Sequence, residues 1–334
     1  MKDYWITLRR TMQLMRSFWF GPEWRKALGW LGLVIGMLIL IACVNVQISF
    51  AERAVTTSLQ QMKEAEFWRN VTRYALTFGV AFLIVGNFGW VKARLHSAWR
   101  DFLSREMLRR YHDDAFFHDV NADPRVDNPD QRIGQDINIF CDKVLTIGIA
   151  MIDSVFAFVS FIAILYFINA NLVWVALGWA AVGTFVMVRY GKRIIGMFSN
   201  QEKLEADFRR NMVNASENAL SIASYNGAKR EMNTALAGLK SLITHWNGVL
   251  SVQRNLVLFK TGYDYMIIVV PLVMTAPLFF AHQIDAGAVV QAGTSFGRVL
   301  GALSLIVAQF QLFAELGMSV ERVGTFSEVL KGYE

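Results

Sequence analysis

Long apolar runs alternate with two long polar segments along this chain. Residues 27–51 and residues 74–91 carry no charged side chain, and residues 144–188 carry only Asp153. About 20 apolar residues in a helix cross a lipid bilayer. The pattern therefore predicts an all-α membrane protein with six transmembrane helices, at residues 27–51, 74–91, 144–168, 172–188, about 261–282 and about 289–312.

The second polar segment, residues 189–260, has helical spacing on both sides of Tyr225-Asn226-Gly227. Apolar residues recur there every three or four positions, from Leu204 to Leu250. Gly and Asn tolerate positive φ, so the three central residues predict a turn that joins two helices. Arms of roughly 30 residues would each reach about 45 Å, well outside a bilayer.

The first polar segment, residues 92–143, predicts a helix as far as Tyr111 and a new helix near Asn128-Pro129. Asn128 is a suitable N-cap residue, and Pro129 suits the first helical position because its fixed φ matches a helix. Both polar segments are therefore expected to be long helical extensions of the membrane helices.

The distribution of Lys and Arg predicts the orientation. Basic residues concentrate in the N-terminal segment and in both polar segments, whereas residues 169–171 and 283–287 contain none. By the positive-inside rule, both termini and both extensions are cytoplasmic in a multi-pass protein of the cytoplasmic membrane. Residues 1–26 predict an amphipathic segment at the interface, broken at Gly21-Pro22, and residues 27–334 form the membrane domain.

Composition excludes several other classes of protein. The net charge is +6, but the Lys and Arg residues flank apolar runs instead of forming a basic patch on a soluble surface. This distribution argues against nucleic-acid binding. Cys43, Cys141 and five scattered histidines lack metal-ligand spacing, so no metal site is expected. No G-x-x-x-x-G-K-[ST] sequence occurs, so the chain is not expected to bind ATP by a phosphate loop or to be an enzyme. A cleaved targeting segment is not expected either.

Three sequences resemble a known family. The six-span topology with long cytoplasmic extensions resembles the exporter-type transmembrane domain of ABC transporters. VDNPDQRIGQDI at 126–137 looks like the DNPDQRI-x-x-DI signature of subfamily D and its bacterial SbmA/BacA-like relatives. The sequence at 206–231 looks like that group's FR…E…IA-x-Y-x-G-x-x-x-E pattern, with Glu217 offset from the ungapped spacing, and the segment at 271–299 is similar to its P-x-x-x-x-AP-x-F segment.

The resemblance implies a site that couples the membrane helices to an ATPase. In the ATP-driven members a nucleotide-binding domain follows the region that matches 321–330, so ATP and Mg²⁺ would be held by a separate nucleotide-binding subunit. The expected partners are that subunit, a second copy of this chain as a homodimer, and membrane lipid. The implied coupling residues are Asp127, Asn128, Pro129, Asp130, Gln131, Arg132, Asp136, Phe208, Arg209, Glu217, Tyr225, Gly227 and Glu231.

Charged residues at membrane depth leave the mechanism open. Asp153 and Arg298 lie within predicted spans, where an ionisable group costs about 2.5–3.5 kcal/mol, so they are expected to face the protein interior or each other. They are either a structural pair or part of a substrate or proton pathway. An SbmA/BacA-like carrier without an ATPase could use Asp153, Glu205, Glu217 or Glu315, and a third hypothesis is an inactive half that only scaffolds a partner.

Family resemblance leaves the substrate class open among a peptide, a cobalamin-like cofactor and a lipid acyl compound, and it does not fix the direction of transport.

Overall fold

A computed structural model describes residues 2–112, 123, 128–305 and 310–332, and all regular structure among them is helical. The all-α fold predicted from the apolar runs is therefore confirmed. Asp127 lies outside the described residues. The helices are α1 (Lys2–Trp19), α2 (Trp24–Gln60), α3 (Glu64–Tyr111), α4 (Pro129–Ile168), α5 (Ala170–Glu217), α6 (Ala219–Ser224), α7 (Ala228–Phe280), α8 (Ala286–Leu303) and α9 (Phe310–Gly332).

Five of the described helices are long and apolar enough to cross a membrane. They are α2, α3, α4, α7 and the first part of α5, Ala170–Tyr190. The predicted sixth span at 289–312 covers most of α8, the undescribed residues 306–309 and the start of α9. As a continuous membrane helix, the sixth span stays a prediction.

The ends of the helices follow local sequence signals closely. Helix α3 ends at Tyr111, and α4 and α5 are separated only by Asn169, as predicted. The side-chain Oδ1 of Asn169 accepts a hydrogen bond from the backbone N–H of Asn171 at 2.9 Å, which satisfies a free donor in the first turn of α5. Helices α2 and α3 run beyond their apolar runs and meet at a short turn near Met62.

Residues 1–176 and 271–334 form one compact unit. Its core lies where α3, α4 and α9 meet α1, and it centres on Trp99, whose ring stacks 5.8 Å from Phe18 and lies 5.6 Å from Phe140. Helix α9 adds Val320, Val323 and Phe326 at helical spacing. These residues lie in segments that the sequence places in water, where burial of each large apolar side chain contributes about 1.5–3 kcal/mol.

The apolar spans of the same unit bury few side chains. Phe82 and Leu83 of α3 are 77% and 63% exposed, and Phe167 of α4 is 86% exposed. Lipid solvates such side chains as well as a protein core does, so the hydrophobic effect does not require them to pack inside a single chain. These faces are therefore available to lipid or to a second copy.

Residues 177–270 form a second compact unit, which contains the predicted helical hairpin. His245 Nε2 lies 2.9 Å from the backbone oxygen of Met197, and the rings of Phe198 and Trp246 are 6.4 Å apart. Helices α5 and α7 thus pack along each other across the turn. The predicted turn at 225–227 is confirmed, although α6 is separated from α5 at Asn218.

Asn226, and not Gly227, takes the left-handed conformation at the hairpin turn, with a φ of 55°. The N–H of Asn226 donates to the carbonyl of Ala223, and the N–H of Gly227 donates to that of Ile222 at 2.8 Å. This pair of bonds is a Schellman motif, which ends a helix by satisfying its last carbonyls. A Cβ at Gly227 would lie 2.2 Å from the ring of Tyr225, so a larger residue at 227 would require this exposed side chain to move.

Candidate coupling site

A π-helical turn at Arg132–Asp136 lies near the start of α4 and contains the centre of the DNPDQRI-x-x-DI sequence. Asn128 precedes it with a φ of 45°, in the left-handed region that Asn tolerates. Asn128 occupies the predicted N-cap position, but its side chain makes no capping hydrogen bond, and its backbone oxygen accepts from the N–H groups of Gln131 and Arg132. Pro129 disfavours the right-handed helical conformation at the preceding residue, so the helix begins after Asn128. Pro129 itself occupies the predicted first helical position.

The π-helical turn aims two charged side chains at α9. Arg132 Nη1 donates to the backbone oxygen of Arg322 at 2.8 Å, and Arg322 Nε lies 2.9 Å from Asp136 Oδ2. The Asp136 side chain is only 6% exposed, whereas that of Arg322 is 36% exposed. We call Arg132, Asp136 and Arg322 the junction. Since a buried carboxylate is costly without a positive partner, the junction fixes the start of α4 against α9.

A second ion pair attaches α1 to α9. Arg10 Nε and Nη2 donate to the two carboxylate oxygens of Glu328 at 3.0 and 2.8 Å, a two-bond geometry that is stronger than a single contact. A hydrogen bond with Glu328 raises the pKa of Arg10, which keeps the guanidinium charged. Gly324 gives the Arg10 side chain room, because a Cβ at Gly324 would lie 2.7 Å from Arg10 Cδ.

A third ion pair lies where α9 approaches the span of α4. Lys143 Nζ is 2.6 Å from Glu315 Oε2, and both side chains are largely buried. Glu315, a candidate proton carrier from the sequence, is therefore already in an ion pair. Along α9, charged contacts hold Glu315, Arg322 and Glu328 to α4 or α1.

The other residues of the first motif are less enclosed. Asp130 is exposed and Gln131 is half-buried, while Ile133 and Ile137 anchor the motif in the core. The structure thus brings Arg132 and Asp136, out of the predicted motif residues, into direct contact with α9.

The residues of the second motif lie in the second unit, along the hairpin. Arg209, Glu217 and Tyr225 are exposed, and Tyr225 at the turn is 63% exposed. Phe208 packs beside Gly238 of the opposite arm, with 3.6 Å between its ring and a Cβ built there. Glu231 is half-buried in the first turn of α7, and Glu205 accepts a hydrogen bond from Gln201 at 3.1 Å.

Asp153 and Arg298 do not pair with each other. Both are exposed on the single chain, on α4 and α8, and the Arg298 guanidinium lies 5.9 Å from the centre of the Phe161 ring. One of the two predicted alternatives, that they face each other, is therefore absent from the single chain. Their role in a substrate or proton pathway stays a prediction.

Sequence reasoning missed the residues of α9. Arg322, Gly324 and Glu328 lie in the region 321–330 that resembles the family, but they were not predicted as site residues, and their partners are far away in the chain. The available signal was the amphipathic spacing of Val320, Val323 and Phe326, which indicates that α9 packs against other helices. The identity of its partners required the fold.

Residues 15–280 match the family model described as ABC transporter transmembrane region 2. The chain belongs to this family, and it is a membrane-spanning part of an ABC transporter.

Several relatives match over 90% or more of the chain. The chain is 35% identical to an uncharacterized ABC transporter ATP-binding protein of Synechocystis over 90% of its length, and 30% identical to the chloroplastic ABC transporter D family member 2 of Arabidopsis thaliana over 99%. It is 24% identical over 97% of its length to the inner membrane ABC transporter ATP-binding protein YddA of Escherichia coli. The chain spans 46%, 46% and 62% of the length of these three relatives.

Proposed function

We propose that this chain is the permease part of an ABC-type transporter that moves a peptide-like or other amphipathic solute across the cytoplasmic membrane. An ATPase on another chain binds ATP and Mg²⁺ and supplies the energy. Two copies of the chain enclose the pathway, because one six-helix domain lines only half of it. The family match and the ATP-binding names of the relatives support the ATP-driven part of this proposal.

The junction is the observation that carries the proposal. Arg132 and Asp136 lie near the start of α4, which continues as one helix through the membrane-depth residue Asp153 to Ile168. At 1.5 Å per residue, Asp136 and Asp153 are about 25 Å apart along the axis. A displacement of α9 that Arg322 passes to Asp136 would therefore move the middle of the span, as in a rigid-body switch between two states.

The exposed charges at membrane depth support the dimer. Asp153 and Arg298 are costly in hydrocarbon, yet both are exposed on a single chain. A second copy and a hydrated pathway between the two copies would remove both side chains from lipid. In this arrangement the exposed hairpin residues Glu217 and Tyr225 contact the ATPase.

Transport in membrane vesicles that hold the full chain and its ATPase tests the proposal. A fluorescent amphipathic peptide is followed in right-side-out and inside-out vesicles, with ATP, with a non-hydrolysable ATP analogue and with an uncoupler. We expect peptide movement that needs hydrolysable ATP and continues in the presence of the uncoupler. The rate of this movement should fall at least tenfold in Asp136→Asn. The Asp101→Asn variant, which changes an exposed carboxylate on α3 that pairs with Arg105, is the matched control and should transport normally.

A proton-coupled SbmA/BacA-like carrier is the second candidate, and Asp153 favours it. This carboxylate lies at membrane depth, and no ion pair holds it within the described part of the chain. The same vesicles decide between the two candidates. Peptide movement that follows a proton gradient without ATP would favour the carrier if Asp153→Asn abolishes it and Asp136→Asn does not. The carrier would then replace our first proposal. No movement under any condition would favour the scaffold hypothesis.

A further inference from the structure

A polar cluster joins α2 to α8 at the end of the bundle that the charge distribution places outside the cell. Arg53 Nη2 lies 2.9 Å from Asp285 Oδ2, and Arg53 Nη1 donates to Gln291 Oε1 at 3.3 Å. Gln291 Nε2 in turn donates to Ser49 Oγ at 3.2 Å, and Gln60 Oε1 accepts from the backbone N–H of Ala286 at 2.9 Å. We call these contacts, made by Ser49, Arg53, Gln60, Asp285 and Gln291, the outer cluster.

Gly287 lets the two helices approach closely at the outer cluster. A Cβ at this position would lie 2.2 Å from the backbone oxygen of Arg53 and 2.4 Å from Thr57 Oγ1. The first of these atoms belongs to a helix backbone and cannot rotate away. Any larger residue at 287 would therefore push α8 away from α2 and lengthen the bonds around it.

Two members of the outer cluster are buried polar groups. Gln291 is 1% exposed and Ser49 is 4% exposed, and each is satisfied across the interface between the two helices. Separating α2 from α8 leaves these groups without partners unless water enters, so the cluster resists opening. Further along α8, the buried side chains are mainly apolar, among them Ala292 and Phe296.

Water reaches one side of the outer cluster. A pocket of about 280 Å³ lies beside the Arg53–Asp285 pair, and Glu66 and Asn70 of α3 line it as well. Asn70 Nδ2 donates to the backbone oxygen of Ala54 at 3.2 Å. The separated charges could therefore be hydrated from this pocket, which makes the contact reversible instead of permanently closed.

We propose that the outer cluster is a latch that holds α2 and α8 together while the pathway is closed to the outside, and that it separates when the pathway opens outward. The inference rests on the proposed function, because only a transporter needs an outer side that opens. In this latch, the ion pair between Arg53 and Asp285 determines how often the outer ends of α2 and α8 separate.

Labelling of a buried position tests the latch without measuring transport. Ser49→Cys is introduced into the full chain with Cys43 changed to Ser, and intact cells are treated with a membrane-impermeant maleimide. The thiol should react slowly, and Asp285→Asn should speed the reaction about tenfold, as expected for the loss of a charged hydrogen bond. Asn caps helices as well as Asp does, so this variant removes the ion pair and keeps the cap that Asp285 provides to Ala288.

Three controls make the labelling decisive. Met62→Cys, at a position 92% exposed in the turn between α2 and α3, should react at once and so report that this end is outside. Glu66→Gln changes another carboxylate of the same pocket, which pairs with Lys63 of its own turn, and should not change the rate. Arg53→Lys should keep most of the protection.

Each result supports or overturns a stated part of the inference. Rapid reaction of Ser49→Cys in the parent chain, or an unchanged rate in Asp285→Asn, would overturn the latch. An unreactive Met62→Cys would overturn the topology. Another outcome is a chain that transports nothing under any condition, although Ser49→Cys is protected and Asp285→Asn exposes it. This result would support the contact between α2 and α8 and would refute the proposed function.

Discussion

The junction between α4 and α9 predicts an asymmetry between its two charged partners. Asp136 is 6% exposed and Arg322 is 36% exposed, with 2.9 Å between Oδ2 and Nε. Arg322→Gln leaves a buried carboxylate without this cation, whereas Asp136→Asn leaves a guanidinium that water can solvate. The two variants remove the same contact, yet the first should destabilise the protein more.

The magnitudes follow from the burial of each partner. Breaking a buried ion pair costs roughly 3–5 kcal/mol, and the partial exposure of Arg322 reduces this to about 2–3 kcal/mol for Arg322→Gln. Asp136→Asn should cost about 1–2 kcal/mol, the value of an ion pair that is partly screened on the Arg322 side. The double variant should resemble Asp136→Asn, because the buried carboxylate itself is absent from both.

Titration with SDS in mixed micelles, followed by tryptophan fluorescence, measures these free energies of unfolding. Arg105→Gln is a matched control, because Arg105 forms an exposed pair with Asp101 on α3 and should change stability by less than about 0.5 kcal/mol. Equal losses for Arg322→Gln and Asp136→Asn, or a larger loss for Asp136→Asn, would refute the reasoning that burial of the carboxylate decides the cost.

Further predictions concern other contacts. Gly287→Ala should destabilise the protein by about 1–3 kcal/mol, since the added Cβ meets the backbone oxygen of Arg53. It should also expose Ser49→Cys to the maleimide, and an unchanged labelling rate would contradict this prediction. Trp99→Ala should cost about 3–5 kcal/mol in the SDS titration, because the side chain is fully buried. Asn226→Gly should be neutral and Asn226→Val should cost about 1–2 kcal/mol, owing to the positive φ; equal stability of the two variants would refute the turn geometry.

The pH dependence of the outer cluster follows from Asp285. Burial raises the pKa of this carboxyl, but the hydrogen bonds from Arg53 and from the Ala288 N–H, together with the nearby positive charge of Arg53, hold the pKa below the ordinary value of 3.8. A carboxyl with a lowered pKa stabilises the folded state above its ordinary pKa, and this contribution disappears as the pH falls through the lowered value. The labelling rate of Ser49→Cys should therefore be constant from about pH 5 to about pH 8 after correction for thiol ionisation, and a rise in this range would contradict the assignment.

Local sequence predicted the helices because each signal lies within a few residues. The apolar runs mark the spans, Asn169 marks the end of α4, and residues 225–227 mark the hairpin turn. The DNPDQRI-x-x-DI sequence also identified Arg132 and Asp136 as candidate site residues, through resemblance. The sequence did not show which residue adopts the positive φ at the turn, because Asn and Gly both tolerate that conformation.

Tertiary structure decided which charges meet. Arg322, Glu328 and Asp285 look like ordinary surface residues in the sequence, and their partners lie on distant helices. Hydrophobic periodicity says which face of a helix is buried, but it does not say which other helix covers that face. An ion pair needs atoms within a few ångströms, and only the packing of the helices brings them there. The amino-acid pattern by itself thus determined a helical membrane protein, and the fold decided that α9 is tied to the start of α4 and that α2 is tied to α8.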